Sequence, residues 1–159
     1  MTVSRLDALQ STLAAEHAAI FELGALGGRA AELTEPQLRA AIDAAYGVHV
    51  RRRDELRAIV TNAGAQPVAA EPAYRLPSPL VTGAQIEAEA LRVERACVTT
   101  YAALVAATSG AERRWAVEAL ASGIGVGVTQ LLTQRMAARH WGKEIGHETP
   151  DAGKIKFNI

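Results

Sequence analysis

Glu16 lies in the middle of an otherwise apolar helical stripe, and that placement constrains the fold more than any other feature of the chain. Taken at spacings of three and four residues, Leu6, Leu9, Leu13, Glu16, Ile20, Leu23 and Gly27 share one helix face. A carboxylate at that depth needs a partner, because burying it alone costs several kcal/mol. Segments further along the chain bring His49, Arg52 and Glu94 to comparable depth on helices of their own. The expectation is a helix bundle closed around a small polar cluster.

The first helix is expected to start near Ser4, with Asp7 completing a weak capping box, and to fray at Gly27-Gly28 or a little beyond. Thr34-Glu35-Pro36 reads as the next start, with Thr34 as N-cap and proline in the first turn. The second helix then carries Leu38, Ile42, Ala45, His49, Arg52, Leu56 and Ile59 on one stripe and stops at Asn62 to Gly64. Pro67, Pro72, Pro77 and Pro79 exclude helix and sheet interior from residues 64 to 83. Because Val68, Tyr74, Leu76, Leu80 and Val81 punctuate it, this stretch is expected to lie against the bundle as a crossover, letting helices two and three run parallel.

Helix three is expected from about Ala84 to Thr108, with Leu91, Glu94, Val98, Tyr101 and Val105 inward, and Ser109-Gly110 breaks it. Helix four should run from Ala111 to about His140 through Trp115, Val117, Leu120, Ile124, Val128 and Leu131. Its Gly123, Gly125 and Gly127 each cost roughly 1 kcal/mol against alanine, so a close neighbouring helix is expected there. No strand precedes them, which removes a dinucleotide-binding loop. The division expected is a four-helix bundle over residues 1–141 and a tail over 142–159, whose end, Lys154 to Ile159, alternates like a strand and can pack on its own bundle, add to a partner or act as a short docking peptide.

Composition narrows the function classes. Hydrophobic residues make up 49% of the 159 residues but aromatic ones only 4%, which suits close helix packing more than a sheet. Seventeen basic and seventeen acidic side chains are intermixed, so neither nucleic acid nor an anionic membrane is an expected partner. No run approaches the roughly 18 apolar residues of a membrane span. Met1 to Gln10 carries Arg5 and Asp7 without a continuous apolar run, and Cys97 is the single cysteine; a cytoplasmic protein is expected.

Four helices with a long connection between the second and third form the ferritin-like layout, where two helices supply Glu and two supply Glu-x-x-His to a pair of metal ions. Here helix one offers Glu16 with His17 beside it, helix two offers His49 but has Tyr46 where Glu would stand, and helix three offers Glu94. On helix four, Glu118 is followed three residues later by Ala121, and Ser122 and Thr129 are weak ligands. The segments Ala14-Ala-Glu-His-Ala-Ala-Ile20, His49-x-x-Arg-Arg-Asp54, Pro67-Val-Ala-Ala, Pro72-Ala-Tyr-x-Leu-Pro77, Leu91-Arg-Val-Glu94 and Tyr101-Ala-Ala-Leu-Val105 resemble an uncharacterised ferritin-like family of bacterial proteins of unknown function. That resemblance implies an all-α, ferritin-like four-helix bundle and brings no known reaction, substrate or cofactor.

Two readings of the cluster compete. In the first, Glu16 and Glu94 share Arg52 with His49 as a further donor, no cofactor is bound, and the protein is a non-catalytic binding or scaffold protein with a degenerate di-metal site. A ligand pocket is then expected near Tyr46, His49 and Tyr101, and a homodimer is expected from the glycine- and alanine-rich faces. In the second, Glu16, His49 and Glu94 hold one Fe or Mn ion in a metal-dependent oxidoreductase or storage protein, with Arg52 turned outward. His17, His140 and His147 are read as surface or network residues, and Cys97 as a small buried side chain.

Overall fold

Four helices carry most of the described residues in a computed structural model, which describes residues 3–76 and 79–123. They are α1 (Arg5–Glu32), α2 (Pro36–Asn62), α3 (Gly83–Ala107) and α4 (Gly110–Gly123). No strand occurs among the described residues, and the fold is an all-α helical bundle. None of the described helices is long and apolar enough to cross a membrane.

The start of α1 follows from Ser4, whose hydroxyl accepts the Asp7 amide at 3.1 Å and donates to the Asp7 carboxylate at 2.6 Å. Gly27-Gly28 does not end this helix. It continues to Glu32 because Leu23, Leu26 and Ala30 beyond and before the glycines are buried, and that burial offsets the weak helix propensity. Gly27 instead marks where α2 comes close: a Cβ there would sit 3.3 Å from Asp43 Oδ1 and 3.5 Å from Ile42 Cγ2.

Thr34 is not the cap of α2. Its backbone takes φ +56°, in the tight turn closed by Thr34 N on the Ala31 carbonyl, and the cap position falls on Glu35 with Pro36 opening the helix. At α3 the cap is Thr82, in a capping box with Gln85. Gly110, at φ +56°, takes the left-handed turn between α3 and α4.

The proline-rich connector is fastened along α1 from one end to the other. Gln10 donates to the Gln66 carbonyl at 2.6 Å and accepts the Val68 amide at 2.8 Å, and His17 Nε2 lies 3.1 Å from the Val68 carbonyl. Further on, the Phe21 and Tyr74 rings meet at 5.4 Å, and Arg29 donates to the Leu80 carbonyl at 3.0 Å. The chain therefore returns the length of the bundle before α3 begins. Both α2 and α3 run antiparallel to α1, hence parallel to each other, as the pairs Glu16–His49, Glu16–Tyr101 and Glu22–Arg92 show.

The inward faces differ from the expected stripes in three helices. In α3 the residues buried in the core are Ile86, Ala90, Val93, Glu94, Cys97, Tyr101 and Leu104, with Glu87 and Glu89 buried as well, while Leu91, Val98 and Val105 are half-buried. The helix is turned by about one residue, which brings Cys97 onto the core face. In α4, Ala116 and Ala119 are buried and Val117 is 46% exposed, because the short side chains let α4 approach. Leu6, at 38% exposure, leaves the α1 stripe to Ala8, Leu9, Thr12 and Leu13. The continuation of helix four to His140, the glycines at 125 and 127, and the tail 142–159 lie outside the described residues.

Candidate functional site

Helix packing brings three of the expected polar residues into direct contact. Glu16 from α1, His49 from α2 and Glu94 from α3 are buried together at the middle of the bundle. His49 Nδ1 lies 2.6 Å from Glu16 Oε2, and its Nε2 lies 3.4 Å from Glu94 Oε1. The Tyr101 hydroxyl donates to the other Glu16 oxygen at 2.8 Å. Each oxygen of Glu16 thus receives one donor, and the two donors come from different helices.

An ionised carboxylate only accepts, so an imidazole facing carboxylates on both nitrogens is fully used only when both nitrogens carry protons. Burial opposes that charge. Hydrogen bonds involving Cys97, Glu16 and Glu94, together with the negative charge of Glu16, outweigh the burial and push His49 up to about 11. The same surroundings act oppositely on acids. Burial pushes the Tyr101 phenol well above its usual range, with the Glu16 charge adding to it, and burial also raises the Cys97 thiol against the hydrogen bond from His49.

Arg52 is inside the protein but not between the carboxylates. It is 5% exposed, its Nη2 donates to the Ala119 carbonyl and lies 3.5 Å from Ser122 Oγ, and its Cζ sits 5.2 Å from the centre of the Tyr101 ring. The sharing of Arg52 by Glu16 and Glu94 is therefore corrected: the cation in contact with both acids is His49. Arg52 lies across a cavity of about 10 Å³ from Glu94, bounded also by Cys97 and Tyr101, which has room for about one water molecule. Formally, two carboxylates, one imidazolium and one guanidinium sum to zero.

The expected pocket between Tyr46 and Tyr101 is also corrected. Tyr46 is 39% exposed and packs over Gly24, where a Cβ would meet its Cε2 at 3.6 Å, whereas Tyr101 is fully buried. The space beside Tyr101 does not reach Tyr46. His17 is used on the connector, and Cys97 is buried against His49.

A second polar cluster lies on the α1–α3 face. Arg92 holds Glu89 at 2.6 Å and also bonds Glu22, and both acids are buried. Burial pushes the Glu22 carboxyl up, with Arg92 pulling it down and Glu89 adding to the rise. The spacing Glu89-x-x-Arg92 was the available signal for it.

The donors fit a two-metal centre poorly. Such centres take Glu from two helices and Glu-x-x-His from the other two, but Tyr46 precedes His49 at the required position, and the sequence between Glu118 and His140 contains no Asp, Glu or His. One atom each from Glu16, His49 and Cys97 lies within 4.8 Å of the others, enough donors for a single ion. Those donors are the ones already engaged with the proton on His49.

Residues 8–150 match a family described as a domain of unknown function (DUF4439). The crystal structure of a conserved hypothetical protein, rv2844, from Mycobacterium tuberculosis superposes with a TM-score of 0.69 at 27% identity, covering 77% of this chain and 90% of that one. No curated protein matches the chain. Since the family match takes in all four helices and the residues of the buried network, the chain belongs to the DUF4439 family.

Proposed function

We propose that this protein is a ferritin-like bundle in which a protonated histidine stands where a metal pair would be, and that it acts as a non-catalytic binding protein. The observation that carries this reading is the position of His49, with one ring nitrogen 2.6 Å from Glu16 and the other 3.4 Å from Glu94. A metal ion needs the same lone pairs that this proton occupies. The network then serves to hold three helices in register, and binding is left to the bundle's outer grooves.

Metal content tests this directly. The protein is incubated anaerobically with Fe(II) and Mn(II), desalted, and analysed for elements. A stoichiometry near zero supports the reading, and a stoichiometry near one or two, lost in Glu94→Ala, overturns it.

A second reading is supported by the convergence of Glu16, His49 and Cys97. A single ion on those donors, or on Glu16, His49 and Glu94, would make the protein a reduced-site oxidoreductase or metal-storage protein. It requires removing the proton from a histidine pushed up to about 11, and for the sulfur ligand also from a thiol raised by burial. Both costs act against it near neutral pH.

A further inference from the structure

A groove of about 240 Å³ runs between α2 and α4. Arg51, Arg52 and Glu55 line it from α2, and Trp115, Glu118 and Ser122 line it from α4. Two guanidiniums and two carboxylates share this space, yet among the described residues none of the four pairs with another within 4.0 Å. Charges that merely decorate a helix surface are free to close on a neighbour of opposite sign. Here Arg51, Arg52 and Glu55 line the α2 wall and Glu118 the α4 wall, and no pair closes among the described residues.

Arg52 makes this more than a surface arrangement. A guanidinium at 5% exposure ordinarily has a carboxylate against it, since an uncompensated buried charge is costly. Its Nη2 is used on Ala119 and Ser122, while no described acceptor takes the N–H groups of Nε and Nη1. Arg52 itself lines the groove, and among the described residues no buried side-chain nitrogen lacks a partner. Glu55 accepts the Trp115 indole N–H at 2.8 Å with one oxygen, which fixes the indole in the groove and leaves the second oxygen available.

Building on the binding-protein reading, we propose that this groove takes a free α-amino acid as a zwitterion. Its carboxylate is received by the guanidiniums of Arg51 and Arg52, and its ammonium by Glu55 and Glu118. Its side chain lies toward the Trp115 ring. A plain anion fits less well, because the two lining carboxylates would repel it. The volume suits a single amino acid better than a polymer. Because the Trp115 ring packs at a tilt against Tyr101 at 6.0 Å and Arg52 lies over the Tyr101 ring, occupancy of the groove is felt by the buried network.

The test uses the full-length chain with Trp141→Phe, which leaves Trp115 as the single indole. Each of the twenty L-amino acids is titrated while the Trp115 emission is followed. The proposal expects a saturable change for at least one of them. For that amino acid, the N-acetyl derivative and the carboxamide should each bind at least tenfold more weakly, since each loses one charged contact. Arg51→Ala and Glu118→Gln, both at exposed positions and expected to fold normally, should each weaken binding by about tenfold. Silence from all twenty, equal binding of the blocked derivatives, or unchanged binding in both variants overturns the proposal. Metal stoichiometry is indifferent to these outcomes, so failure here is distinct from failure of the proton-filled network.

Discussion

His49 Nδ1 sits 2.6 Å from Glu16 Oε2, with both side chains almost completely excluded from solvent. A hydrogen-bonded pair at that depth is one whose members are dependent on each other. Removing either leaves the other buried, charged and short of a partner.

His49→Ala is accordingly expected to destabilise the bundle by about 3 kcal/mol or more, because Glu16 loses one of its two donors and Glu94 loses its imidazole contact. His49→Gln should be milder, since an amide can still donate. Urea denaturation of the two variants checks this, and a near-neutral His49→Ala would mean that the acids are held by something else.

Glu16→Gln should likewise cost less than Glu16→Ala. The amide retains an acceptor for Tyr101, whereas alanine removes the acceptor for both Tyr101 and His49 and opens a cavity of a few methylene groups. Equal melting shifts for the two would place the effect in packing alone.

Stability should also fall on the alkaline side. His49 is raised from 6.5 to about 11, so the native state holds a proton that the unfolded chain releases. The contribution is complete below the unfolded value and declines as pH rises toward the folded one, with a slope of up to about 1.4 kcal/mol per pH unit. Chemical denaturation between pH 6 and pH 10, compared with His49→Gln, should show the slope in the parent and a smaller one in the variant.

The glycine pair in α1 separates two effects. Gly28 has no atom within 4 Å of a Cβ, so Gly28→Ala should stabilise by about 0.5–1 kcal/mol through helix propensity alone. At Gly27 the new methyl would press on Asp43 Oδ1 at 3.3 Å and Ile42 Cγ2 at 3.5 Å, so Gly27→Ala should gain less. Thermal melts that rank them the other way would place α2 farther from α1.

Much of the fold was legible because long helices with mid-helix polar residues leave few alternatives. Glu16, His49 and Glu94 could be set at one depth from their stripes, and the connector's prolines with interspersed apolar residues foretold a crossover lying against the bundle, though not that it would follow α1. Less visible was which cation the acids choose, since His49 and Arg52 lie three residues apart on the same face and only side-chain length and the position of Ala119 separate their roles. Cys97 is the small buried side chain expected, but its place against His49 was not visible, because α3 is rich in alanine and its weak contrast between faces left the stripe uncertain by one position. Thr34 looked like a cap by residue type, but the turn before Pro36 required a left-handed backbone there. Thr82 carried a readable signal, with Gln85 three residues on.

The most direct test of the proton-filled centre is a nitrogen-15 NMR titration of the His49 ring, assigned with His49→Gln. An imidazolium with both nitrogens protonated throughout the neutral range, titrating toward about 11, is the result expected from its contacts with Glu16 and Glu94. A neutral ring at pH 7, with one nitrogen unprotonated, would contradict the account and return that lone pair to a metal ion.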